Sequence, residues 1–200
     1  TTTGNSVLQR EFRNRSKMLF SFANDNADRV RGISCDLIKI DEVQDTDMDI
    51  LRIIFETSTY SKWNVQWMSG TPKTLDNTLT KFWNHSSRAE WFIRCREAGC
   101  NEWNIPSGEY HLLDMIGPMR NDISINQPAL VCHKCRKPLD PRTGRWVHRE
   151  ANKRWINAGY HLPQTMLPHH YANPTNWSKI LVKQQNMMPS QFYNEVLGEP

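Results

Sequence analysis

Apolar positions along the first ninety residues switch between strand and helix periods. Met18-Leu19-Phe20-Ser21-Phe22 reads as a strand, and Leu37-Ile38-Lys39-Ile40 as another that buries Leu37, Ile38 and Ile40. Between 47 and 57, Met48, Leu51, Ile54 and Phe55 recur at helical spacing. Asn64 to Met68 is strand-like and stops at Ser69-Gly70-Thr71-Pro72, and Leu75, Leu79, Phe82 and Trp83 mark a following helix. Residues 7–16 read as a short polar helix or loop. Asn24 to Ser34 carries turn formers and a short helical stretch around Ala27–Val30. The β-α-β-α-β-α alternation predicts an α/β fold with a parallel sheet and helices on its faces.

At Trp91 the pattern changes. Segments shorten, with turn signals at Pro106-Ser107-Gly108, Gly117-Pro118 and Pro141-Arg142-Thr143-Gly144. That suits a small β-rich insertion. After Trp155 the chain is punctuated by Pro163, Pro168 and Pro174 and ends in two helices, Trp177–Gln185 and Pro189–Leu197. The reading divides the chain into an α/β core over 1–90, an insertion over 91–150 and a closing segment over 151–200.

Composition adjusts this picture. A hydrophobic fraction of 38% is low for one compact domain, and eight Trp offset it. Net charge is only +4, but it is unevenly spread. Asp36 to Glu56 holds seven acids and two bases, whereas Val131 to Arg154 holds eight bases and two acids. A basic module beside an acidic strand suits a polyanionic partner. No signal peptide is visible and no apolar run approaches membrane-spanning length. The chain starts at Thr1-Thr2-Thr3 without an initiator Met, which reads as a fragment.

Two constellations carry chemistry. The strand 37–40 ends in Asp41-Glu42, at the edge where βαβ sheets bind ligands. Asp41 can hold the Mg²⁺ of a nucleotide and Glu42 can orient and deprotonate the attacking water. The plain alternative is a strand-to-helix turn with Asp45 or Thr46 as N-cap. Likewise Ser69-Gly70-Thr71 can sense phosphate, or Thr71 or Thr74 can simply cap the next helix with Pro72 near its first turn.

The second constellation is Cys95-x4-Cys100 with Cys132-x2-Cys135. Tetrahedral zinc takes four thiolates delivered as two short-spaced pairs on turns. A four-cysteine site is structural, since it leaves no open position for substrate. His111 and His133 rank behind the cysteines as ligands. Two disulfides or four free thiols are the alternatives. Trp103 and Trp146 follow the pairs and can pack over a small core. Cys35 reads as a buried hydrophobe. Arg136, Lys137, Arg142, Arg145 and Arg149 are candidates to meet DNA phosphates. His85, His148 and the pair His169-His170 show no partner in the sequence, the pair reading as a surface loop.

Together, LIKIDEVQD, WMSGTPKTLDN, the two cysteine pairs, GYHLPQ and the ending FYNEVLGEP resemble the large terminase subunit of tailed bacteriophages, in its lambda-like branch with a cysteine-rich insertion. The resemblance implies a partial P-loop NTPase sheet with a zinc-ribbon insertion. It puts Asp41 and Glu42 on the Walker B motif and Ser69, Gly70 and Thr71 on the coupling motif. It further implies Mg²⁺ and ATP, double-stranded DNA, the small terminase subunit and the portal protein as partners, a homo-oligomeric ring and the host cytoplasm. The chain holds no G-x-x-x-x-G-K-[ST] phosphate loop. By the resemblance, that loop would lie upstream and a nuclease domain downstream, and the chain alone would hydrolyse ATP poorly. A superfamily 2 helicase-like translocase shares the layout. Asp41-Glu42-Val43-Gln44-Asp45-Thr46 also resembles the superfamily 1 acidic motif, against which Ser-Gly-Thr-Pro argues. A non-catalytic zinc-ribbon DNA-binding module is the reading from another class.

Overall fold

The computed structural model describes residues 2–22, 27–106, 111–122 and 127–199. Ser107 and Gly108 of the first turn signal, residues 24–26 of the turn-forming stretch, and Thr1 and Pro200 lie outside the described residues. The fold is mixed α/β with small sheets, and the chain divides into two compact units, Thr1–Gly70 and Thr71–Pro200. The sequence reading divides it after 90 and after 150.

The first unit opens with an antiparallel meander, β1 (Thr2–Ser6), β2 (Gln9–Phe12) and β3 (Lys17–Leu19). Residues 7–16 are therefore not a polar helix. Asn14 accepts from the Ser16 amide at 3.1 Å and Arg15 takes a left-handed φ of 65°, which closes a hairpin between β2 and β3. This turn chemistry overrides the weak helical pattern. The strand expected over 18–22 is shortened and pairs antiparallel with β2, so it does not join a parallel sheet.

Parallel pairing occurs once among the described strands. β4 (Leu37–Ile40) and β5 (Val65–Met68) run side by side, joined through α1 (Met48–Glu56), with Leu37 opposite Val65 and Ile40 opposite Met68. Of the three β4 side chains expected inside, Ile38 is buried, Ile40 half-buried and Leu37 exposed. In α1, Leu51 is fully buried while Met48, Ile54 and Phe55 are half-buried, which is the expected apolar face. The cap is Asp47, whose carboxylate accepts from the Asp49 amide at 2.7 Å, rather than Asp45 or Thr46. Val43–Asp45 form a 3-10 turn instead. Cys35 is half-buried, not a core residue, and its thiol lies 3.3 Å from the Thr57 hydroxyl.

In the second unit, α2 (Thr78–His85) starts later than expected. Asn77 caps it by accepting from the Thr80 amide at 2.8 Å, so neither Thr71 nor Thr74 is its cap, and Leu75 is exposed. A three-stranded antiparallel sheet follows, β6 (Ala89–Arg94), β7 (Trp103–Asn104) and β8 (Arg145–His148), in the order β7-β6-β8. Then come α3 (Pro168–Tyr171), α4 (Pro174–Asn186) and α5 (Pro189–Phe192), the last running into a π-helical turn over Tyr193–Leu197. His169 and His170 therefore sit on a short helix rather than in a loop.

One core spans this unit. Ile93, Leu112, Met115, Leu130 and Leu139 pack with Trp177, Ile180, Phe192 and Val196, so the segments 91–150 and 151–200 share their interior. The indole N–H of fully buried Trp177 donates to the Gly117 carbonyl at 3.0 Å, satisfying a group that burial would otherwise penalise. His161 Nε2 donates to the Leu197 carbonyl at 2.7 Å and Gln164 donates to the Glu195 carbonyl at 2.8 Å. Those two bonds join GYHLPQ to FYNEVLGEP.

Candidate functional site

Parallel pairing of β4 and β5 brings their carboxyl ends together. Asp41 and Glu42 are exposed there, and Ser69 donates from its hydroxyl to Asp41 Oδ1 at 2.8 Å. The backbone ties the ends further, since Ser69 N donates to the Ile40 carbonyl at 2.9 Å and Val43 N to the Ser69 carbonyl at 3.1 Å. Glu42 holds a left-handed φ of 53°, a conformation that costs a non-glycine residue roughly 1 kcal/mol or more. Buried Gln44 donates its amide to Glu42 Oε2 and lies against Gly70, where a Cβ would overlap Gln44 Oε1. The geometry thus assembles Asp41, Glu42, Ser69 and Gly70, with Thr71 the first residue of the second unit. Gln44 was missed in the sequence. Its signal was position alone, two residues after the acid it orients. Two exposed carboxylates here can ligate a hydrated cation and accept a proton from water.

The four cysteines converge from two turns, Cys95 and Cys100 on the connection between β6 and β7, and Cys132 and Cys135 on the second. All four sulfurs lie within 4.8 Å of one another, with Cys95 to Cys135 at 3.6 Å and Cys100 to Cys132 at 3.8 Å. A tetrahedron with metal–sulfur bonds of ~2.3 Å has an S···S edge of about 3.8 Å, whereas a disulfide needs ~2.05 Å. No disulfide joins these four cysteines, and their spacing is that of a ligand set rather than of S–S bonds. They can hold one metal ion, and four soft thiolates in this shape are compatible with structural zinc.

Each pair sits on a tight turn. Cys132 N donates to the Lys137 carbonyl at 2.8 Å and Arg136 N to the Cys132 carbonyl at 2.9 Å. Cys95 N donates to the Glu102 carbonyl at 2.8 Å. Both turns leave through a left-handed residue, Asn101 at φ 53° and Arg136 at φ 61°. Fully buried Asn104 bridges the two halves. Its amide N–H₂ donates to the Glu102 carbonyl at 3.1 Å and its oxygen accepts from the His133 amide at 3.0 Å. Sequence reasoning missed Asn104, because a contact across 29 residues leaves no local signal.

Burial pushes the Cys95 thiol up to about 12. Burial also opposes the Cys132 thiolate, but the backbone N–H groups of Cys135 and Lys134 and the Asn104 side chain outweigh it and bring that thiol down to about 7. His111 and His133 are not in the ligand set. Their rings stack at 4.5 Å, and His111 Nδ1 lies 3.2 Å from Asp114.

Of the five candidate DNA-contacting bases, two are committed elsewhere. Arg142 makes bonds of 2.9 Å from Nε and Nη2 to Asp140, and Arg149 donates to buried Glu90 at 2.7 Å. Arg136 Nη2 lies 3.5 Å from the Ile116 carbonyl and Lys137 is exposed. Of the five, only Arg145 faces an aromatic ring among the described residues, 4.9 Å from the centroid of Trp103. Trp146 packs edge-on to Trp91 at 5.1 Å, as expected of a residue covering a small core, while Trp103 stays 40% exposed. His85 and His148 gain partners in the Lys81 carbonyl and the Ser87 hydroxyl, both at 2.7 Å.

No protein family, curated protein or solved structure matches this chain. Among the described residues, no helix is long and apolar enough to cross a membrane.

Proposed function

We propose that this chain is part of the large terminase subunit of a tailed bacteriophage, the ATP-driven motor that packages double-stranded DNA into procapsids. The hydrogen bond between Ser69 and Asp41 across the parallel pair β4/β5 carries the proposal. A motor needs its acidic pair to communicate with a neighbouring strand end, and this bond, with Gly70 lying against the Gln44 that holds Glu42, supplies such a link. The removal of Thr71 and Thr74 from the capping role also favours a coupling function for Ser69-Gly70-Thr71.

In this reading β4 and β5 are two strands of a larger P-loop sheet. Asp41 holds Mg²⁺-ATP, Glu42 is the general base, and the four cysteines hold zinc that folds the insertion. The protein works in the host cytoplasm as a homo-oligomeric ring with the portal and the small subunit.

Glu42→Gln in the full-length protein tests it. The amide keeps the shape but cannot take the proton of water. Turnover falls by about 10² to 10⁴-fold while nucleotide binding is retained. Wild-type turnover in that variant removes the catalytic assignment. The second reading, a non-catalytic zinc-ribbon module that binds DNA, is favoured by the completeness of the thiolate cluster. It predicts no ATP turnover in the wild-type full-length protein.

A further inference from the structure

The side-chain alternation of a strand puts Ile93 and Cys95 into the core and Phe92, Arg94 and, just past the strand end, Arg96 on the other side. Register then adds two neighbours to that outer face. Trp103 of β7 pairs with Arg94, and Arg145 of β8 pairs with Phe92. The result is a groove of about 420 Å³ whose lining includes Phe92, Arg94, Arg96, Trp103 and Arg145 and, from the cysteine cluster at its edge, Cys95. Both strand arginines lie over the Trp103 ring, Arg145 at 4.9 Å and Arg94 at 5.9 Å from its centroid.

Charge pairing separates these three arginines from five other bases of the unit. Arg88 and Lys153 are held by Glu150, Lys134 by Glu102, Arg142 by Asp140 and Arg149 by Glu90. Arg94, Arg96 and Arg145 have no carboxylate ion pair among the described residues. Asp140 is near enough to feel the Arg96 charge, but both its oxygens are engaged by Arg142. A ring beneath a guanidinium fixes its plane, so less side-chain freedom is lost when the fork meets an anion.

We propose that the outer face of the β7-β6-β8 sheet is a nucleic-acid backbone site, in which Arg94, Arg96 and Arg145 contact successive phosphates and Trp103 positions two of the guanidiniums. The face of Trp103 carries cations rather than lying free, so the recognition is of phosphate and not of a stacked base. Three charges spread along an open sheet face suit a polymer of phosphates better than one small anion. The site takes its ligand class from the nucleic-acid part of the reading above and none of its argument from ATP hydrolysis.

The test is fluorescence anisotropy of a labelled short DNA duplex, and of its single strand, titrated with the metal-loaded 200-residue chain between about 50 and about 200 mM salt. Binding to the duplex falls linearly in log–log form, with a slope near −0.9 per phosphate contact, and near −0.7 on the single strand. The double variant Arg94→Gln/Arg145→Gln binds on the order of tenfold more weakly and its duplex slope flattens by about two. Lys153→Gln, outside the groove and paired to Glu150, leaves affinity and slope unchanged.

Metal content is measured on every variant. If the double variant loses metal, Arg96→Gln is read instead and flattens the slope by about one. Equal binding by wild type and a metal-loaded groove variant overturns the groove and leaves the nucleic-acid reading standing. A wild-type chain that binds neither duplex nor single strand overturns both. Salt-insensitive binding also overturns the site.

Discussion

The two compact units solve the burial problem differently. Among the described residues of Thr1–Gly70, the buried apolar side chains are Ala27, Ile38, Val43 and Leu51. Leu37, Val65 and Trp67 on the parallel pair stay 54%, 45% and 61% exposed, although parallel strands are usually covered on both faces. In Thr71–Pro200 a cluster of sixteen buried residues runs from Ile93 to Leu197 and includes Cys95 and Cys132. The second unit therefore has a hydrophobic interior with a cysteine cluster embedded in it that could hold a metal ion. The first has a single helix face over a short strand. Order in the acidic strand ends consequently rests on few side chains, and order in the cysteine turns on many.

Removing the metal breaks this contrast most strongly. We expect one zinc per chain, measured by elemental analysis after reducing purification. Cys132→Ser, or a strong chelator, costs a large share of a binding energy on the order of 10 kcal/mol, which in such modules is folding energy. Amide protection in β6, β7 and α4 should then be lost while α1 keeps its own, because Leu51 is remote in sequence from the cluster and in the other unit. Less than about half a zinc per chain, or intact protection in β6 without metal, removes the cluster from the account of stability.

Leu51→Ala sharpens the comparison from the other side. Leu51 is fully buried, and its loss leaves a cavity under α1 costing about 3 kcal/mol. In a unit with so few buried residues that is enough to unfold 37–68 while zinc content stays at one equivalent. If both units lose structure together in hydrogen exchange, they are one cooperative block.

How much was legible follows from where each signal lives. The cysteine pairs were readable because ligands on a tight turn must be close in sequence, and the structure unites all four. The acidic strand, its helix and its partner strand were readable because their apolar periods are long enough to separate. By contrast, Gln9-Arg10-Glu11-Phe12 has no apolar period, so only the hairpin turn after it reveals a strand. The α1 cap was ambiguous because Asp45, Thr46 and Asp47 all carry side-chain oxygens, and only the backbone decides which one precedes the helix. Counting basic residues found Arg145 but not Arg94 or Arg96, since a sequence does not show which arginines already hold carboxylates.

The smallest expected effect isolates the turn from the charge. Arg136 follows Cys135, closes the turn through its amide to the Cys132 carbonyl, and does so at a φ of 61°. A side chain in that region costs roughly 1 kcal/mol. Glycine removes the strain but gives back part of it through the greater freedom of the unfolded chain, about 0.5–1 kcal/mol. The guanidinium reaches only the Ile116 carbonyl at 3.5 Å, a bond too long to add much. Arg136→Gly should therefore leave zinc at one equivalent and shift unfolding stability by less than about 1 kcal/mol, toward greater stability. Arg136→Val, β-branched and badly suited to positive φ, should destabilise by about 1–2 kcal/mol. A glycine variant that loses more than about 1 kcal/mol would show that the Arg136 side chain, and not its backbone turn, is what this position contributes to the cysteine site.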